Sequence, residues 1–96
     1  MIMKGKATEK IPGGKLITVK VEYEDVIKHI QILGDFFIHP EESLQLIENS
    51  FLETPADEDR EKIIERINNI VEENQIEFVG ITSETITDVV KKAMGE

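Results

Sequence analysis

Asp35 and His39 are the side chains in this sequence whose types and spacing most directly suggest chemistry. They bracket the stretch "DFFIH", and a carboxylate near an imidazole is a familiar pairing for proton transfer. Hydrolysis by such a pair also needs a nucleophile and an oxyanion hole, held together in one cleft. Ser43 is near in sequence, but nothing marks it as activated. The simpler reading is that Asp35 accepts backbone hydrogen bonds at a bend, as aspartate commonly does. With no third group identifiable, the bend reading is preferred.

Two other patterns lead no further. His29 and His39 lie ten residues apart on different elements, whereas zinc asks for three or four ligands, usually in short local spacings. Cysteine is absent, which removes disulfides, zinc–thiolate sites, iron–sulfur ligation and thiol catalysis. Pro12-Gly13-Gly14-Lys15 looks like a fragment of a phosphate loop. A true one needs four residues between the glycines, Ser or Thr after the lysine, and a following helix. Here Leu16 follows, and then a strand pattern, so the segment reads as a hairpin turn, with contact between Lys10 or Lys15 and an anionic group left open.

Phe36 and Phe37 offer a different kind of clue. Adjacent side chains on an extended chain point to opposite sides. If one enters the core, the other faces solvent or a partner, and aromatics are enriched as interface anchors. The alternative is that a small domain wraps the bend and buries both.

The elements that must position these residues follow from periodicity. Ninety-six residues, 40% of them apolar, imply one domain over residues 1–96, with an aliphatic core because there is no Trp and one Tyr. Lys4 to Ile11 reads as an edge strand. Ile17, Val19, Val21 and Tyr23 alternate with Thr18, Lys20 and Glu22, the period of a strand buried on one side. Glu24-Asp25 forms the hairpin tip, and Val26 to Leu33 returns with Val26, Ile30 and Ile32 in phase, until Gly34-Asp35 interrupts it. Pro40 then suits a first helical turn, with Glu41 and Glu42 at the positive end of the helix dipole. Leu44, Ile47 and Phe51 repeat at helical spacing, and Pro55 ends that helix. Asp57, Glu58 and Asp59 open a second helix with the stripe Ile63, Ile64, Ile67, Ile70 and Val71, closed by Asn74. Ile76 to Ile81 fits a fourth strand or a buried connector, and the connector is preferred. Thr82 or Ser83 caps a last helix with the stripe Ile86, Val89, Val90, Ala93 and Met94, ending at Gly95. Strands followed by helices predict an α+β fold: an antiparallel sheet of two to three N-terminal strands, covered on one face by three helices.

Charge bounds the partners. Twenty acids against eleven bases give a net charge of −9, which argues against nucleic acid and anionic membranes. No apolar run approaches the ~20 residues that span a bilayer. MIMKGKATEK lacks an apolar signal core, so the expected location is cytoplasmic.

The ordered combination is more specific than its parts. Lys10, Gly13, Gly14 and Lys15 form a turn motif, the strand LITVKVEYEDVI follows, and Gly34, Asp35, Phe36, Phe37 and Pro40 form a GDFF-x-x-P motif. Together, over roughly residues 4 to 94, they resemble the small accessory domain of lipoate–protein ligases, in particular the archaeal type in which that domain is a separate chain. The hairpin tip departs from the family, carrying Glu24-Asp25 where glycine is common.

The resemblance implies a noncatalytic subunit. Its large partner would hold ATP, Mg and lipoate, make lipoyl-AMP, and pass lipoyl to a lysine of a lipoyl domain or of the glycine-cleavage H protein. The small chain would bind no cofactor alone and would be inactive in isolation, yet be needed for adenylation. Lys10, Gly13, Gly14, Lys15, Gly34, Asp35, Phe36 and Phe37 would be its motif or interface residues. The implied fold is similar to iron–sulfur scaffold and sulfur-acceptor proteins, whose cysteine chemistry this chain lacks. The alternatives are a stand-alone interaction module of that fold, or a small hydrolase using Asp35 and His39.

Overall fold

The computed structural model describes residues 1–11 and 15–95. Three strands, β1 (Met3–Ile11), β2 (Lys15–Tyr23) and β3 (Ile27–Gly34), form an antiparallel sheet in the order β1-β2-β3. A second, two-stranded sheet pairs β4 (Phe37–His39) with β5 (Glu77–Val79). The helices are α1 (Ser43–Phe51), α2 (Arg60–Glu73) and α3 (Ser83–Ala93). The fold is α+β.

One face of the larger sheet makes the core. Ile17, Val19 and Val21 of β2 are buried, as the alternation predicts. Each such side chain contributes roughly 1.5–3 kcal/mol on removal from water. Helix α3 packs on β1 and β2, α1 packs on β3, and α2 lies against both helices. Ile63 and Ile67 of α2, with Ile86, Val89 and Val90 of α3, complete the apolar cluster.

The helix ends follow local chemistry. Asp59 precedes α2 and its carboxylate accepts from the Glu61 N–H. Thr82 caps α3, its hydroxyl accepting from the Thr85 N–H at 3.1 Å. Gly95 takes a φ of 85° just past α3, the left-handed stop that glycine permits. Tyr23 donates its O–H to the Met94 carbonyl at 3.0 Å, tying the C-terminal end of α3 to β2.

Gly5 has a steric reason. A Cβ built there would lie 1.7 Å from the Ala93 carbonyl oxygen. Only a glycine lets β1 pass this close to the end of α3.

Several sequence expectations need correction. Ile27, not Val26, is buried at the start of β3, because a register shift between Glu22 and Tyr23 changes the phase and Val26 bridges Pro55 instead. Helix α1 begins at Ser43; Pro40, preceded by a cis peptide bond, lies in the turn before it. That helix ends at Phe51, with Glu53 at φ 67°, ahead of Pro55. Asn74 does cap α2, but not in the left-handed conformation: its φ is −109°, its side chain donates to the Ile70 carbonyl, and the left-handed residue is Gln75. Residues 76–81, expected to be a connector, contain β5, and its partner β4 is likewise a short strand beyond those expected. Three-residue strands carry too little period to be read alone.

Candidate functional site

The "GDFF" segment is built where β3 ends. Gly34 lies opposite Ile17, and the Asp35 N–H donates to the Leu16 carbonyl at 3.0 Å, so the chain bends out of the sheet while still held to β2. A Cβ on Gly34 would lie 2.4 Å from the Leu16 carbonyl oxygen and 2.6 Å from Cε1 of Phe36. The glycine is therefore the floor on which the Phe36 ring lies. Gly80, at φ +86°, brings the loop after β5 up to the Cβ of Phe36.

The two phenylalanines part company as their adjacency implies. Phe36 is half-buried and packs on the core; Phe37 is 60% exposed. Next along β4, Ile38 turns inward and is buried. Phe37 stands opposite Val79 across the small sheet, and Val79 is also exposed. The Phe37 ring stacks on His39, with centroids 6.4 Å apart and planes 8° from parallel. Leu16 and Leu33, on the outer face of β2 and β3, add two more exposed aliphatic side chains at this end of the sheet.

A shallow groove of about 410 Å³ runs along this end, lined by Lys15, Gly34, Asp35, Phe36 and Phe37. Five of the expected motif residues are thus brought together. Lys10 is not among them. It lines a separate groove of about 680 Å³ with Glu9, Arg60, Asp88 and Lys92, where β1 meets α2 and α3. Gly13 and Gly14 of the turn motif lie outside the described residues.

That second groove is held by ion pairs. Arg60 grips Asp88 with two hydrogen bonds, Nε to Oδ1 at 2.5 Å and Nη2 to Oδ2 at 3.1 Å, joining α2 to α3. The hydrogen bond to Asp88 pushes the Arg60 guanidinium above its ordinary value. Lys92 pairs with Glu9 of β1. These contacts account for the groove as a junction between elements.

Among the described residues, none completes a catalytic assembly around the Asp35 and His39 pair. Both side chains are exposed, and the ring of His39 is committed to Phe37. Ser43, the nominal nucleophile, is buried. His29 lies on β3 opposite Glu22, whereas His39 lies on β4 of the second sheet. No group of three or more His, Asp or Glu side chains that could hold a metal is present among the described residues. What this end of the molecule offers chemically is an apolar shelf, Phe37 with its cross-strand neighbour Val79, beside a lysine and a carboxylate of the groove.

Neither the protein-family models nor the curated proteins contain a match to this chain. Its structure does have a match: a chain from an archaeal lipoylation system of Thermoplasma acidophilum, a bi-partite lipoate protein ligase and its E2 lipoyl domain. This chain is similar to a component of that system. The two superpose with a TM-score of 0.77 at 26% identity, over 94% of this chain and 97% of the other. The comparison bears out the resemblance carried by the GDFF segment and the strand before it. Near-complete coverage on both sides means the likeness is of whole chains, not of a shared substructure. No helix among the described residues is long and apolar enough to cross a membrane.

Proposed function

We propose that this chain is the accessory subunit of a two-chain lipoate–protein ligase, one small domain over residues 1–96. In this reading a large subunit binds ATP, Mg and lipoate, and the small chain is required for making lipoyl-AMP before lipoyl passes to an acceptor lysine. The small chain alone is inactive. The observation that carries the reading is the end-to-end likeness to a chain of a bi-partite ligase system.

The site supports a docking role. Phe36 fixes the bend from the inside, resting on Gly34, so that Phe37 is presented outward on a short, paired strand. An anchor that is rigid before binding loses less entropy on association. Phe37, Val79 and the flanking Lys15 and Asp35 then make an apolar contact with a polar rim, the usual anatomy of an interface. A subunit docked there can cover the large subunit's site and limit water around a reactive acyl-adenylate.

The test is lipoate-dependent ATP–pyrophosphate exchange with each chain alone and with the two mixed. The reading expects exchange only, or far faster, in the mixture. Exchange by this chain alone, or full exchange by the large subunit alone, sinks it.

A further inference from the structure

The charges of this molecule are segregated. Residues 1–34 carry six lysines and four acids, whereas residues 35–96 carry five basic and sixteen acidic side chains. The segregation is sharpest on the sheet face turned away from the helices. Strand alternation puts Gly5, Ala7 and Ile11 of β1 toward the helices and leaves Lys4 and Lys6 on the outer face, with Lys20 of β2 beside them. Glu22 is the one acid of β2 on that face. None of these three lysines forms an ion pair among the described residues.

One pair is unfavourable for folding. Lys6 lies directly opposite Lys20 in the β1–β2 ladder, and like charges in that position destabilise a sheet. A chain with twenty acids has ample means to place an acid there. A groove of about 630 Å³ runs beside the pair, reaching Lys4, Lys20, Glu22 and His29.

We infer that the outer face of the sheet, centred on Lys6 and Lys20, is a docking surface for the lipoyl-accepting protein and reads a carboxylate-rich patch on it. This inference rests on the ligase reading above. Within that reading the two surfaces divide by chemistry. The apolar shelf at Phe37 suits a lasting partner, because stable interfaces have apolar cores. A substrate protein must arrive and leave each cycle, and charge complementarity serves encounter rate and register more than permanence. A long polyanion, such as a membrane or a nucleic acid, fits less well, since the sixteen acids of the helical half would repel it.

The experiment uses the two-subunit ligase and an unlipoylated lipoyl domain as the probe. Both lysines are exposed, so Lys6→Glu with Lys20→Glu keeps the core, and thermal melting confirms the fold. The expected result is a rise of about tenfold in KM for the lipoyl domain, with kcat and lipoate-dependent pyrophosphate exchange unchanged. Lys6→Gln with Lys20→Gln should fall between wild type and the reversal. Raising ionic strength should weaken the wild-type interaction and narrow the difference. An unchanged KM in the folded double reversal overturns the inference, and so does a loss of exchange that parallels the rise in KM.

If the wild-type chain never stimulates exchange, the ligase reading itself fails. The docking surface is then judged by direct NMR titration of the chain with the lipoyl domain. Shifts confined to the outer face of β1 and β2 support it. No shifts, or binding instead to phosphatidylserine vesicles, overturn it.

Discussion

The Phe36 ring lies against Gly34 closely enough that a single methyl group on the glycine would meet it at 2.6 Å. The same methyl would meet the Leu16 carbonyl oxygen at 2.4 Å, and backbone cannot step aside as a side chain can. The "GDFF" segment is thus a packing device before it is anything else. Glycine makes room, aspartate bends, the first phenylalanine locks the bend, and the second is shown to the outside.

Replacing Gly34 by alanine should therefore destabilise the chain by about 1–3 kcal/mol, the usual cost of overpacking. Urea unfolding of the isolated chain measures it. An unchanged midpoint would mean the contact with Phe36 is not rigid.

The two phenylalanines should separate cleanly by assay. Phe36→Ala removes a half-buried ring from the core and should cost about 2 kcal/mol of stability. Phe37→Ala should leave the melting temperature nearly unchanged but weaken association with the large subunit by roughly 1–3 kcal/mol. Calorimetric titration of the subunits, beside thermal melts of each variant, decides it. A Phe37→Ala chain that binds as tightly as wild type would remove the docking role from this ring.

Much of this was legible in the sequence, and the gaps have physical causes. The period of two in Ile17, Val19 and Val21 gave the central strand, and the stripe Ile86, Val89, Val90, Ala93 and Met94 gave the last helix, because long regular patterns leave few alternatives. The adjacency of Phe36 and Phe37 left two readings open, one ring facing out or both buried; the choice depended on Gly34, whose role needed the Leu16 carbonyl in place. The small sheet was not legible, since β4 and β5 join residues some forty apart through three pairs in all. Lys10 and Lys15 share a motif in sequence but open onto different grooves, a separation that spacing alone could not reveal. Gly5 carries a signal of its own, since an isolated glycine within a strand is a sign of close backbone approach.

Gly5→Ala follows from that last point. With the Ala93 carbonyl oxygen 1.7 Å from the new Cβ, β1 and α3 must move apart. The expected loss is about 3 kcal/mol, at the upper end for overpacking. Hydrogen exchange should show it first as lost protection at Met94 and Gly95, where the last turn of α3 is held.

The capping of α3 offers a smaller, cleaner check. Thr82→Ala removes the acceptor of the Thr85 N–H and should cost about 1 kcal/mol. Thr82→Asn should restore most of it, since asparagine caps as well. Denaturant titration of the pair tests the assignment.

The exposed Asp35 and His39 should prove dispensable for chemistry. In the reconstituted ligase, Asp35→Asn with His39→Gln at saturating small subunit should hold the exchange rate within about threefold of wild type, whereas loss of a reacting group costs far more. A collapse of the rate at saturation, with association intact, would return this pair to the catalytic account.

The most direct test of the central claim is lipoate-dependent ATP–pyrophosphate exchange as this chain is titrated into a fixed amount of large subunit. The account predicts negligible exchange from either chain alone and a rate that climbs with added small chain to saturation, with Phe37→Ala shifting the midpoint rather than the plateau. A large subunit that exchanges at its full rate with none of this chain present would contradict it.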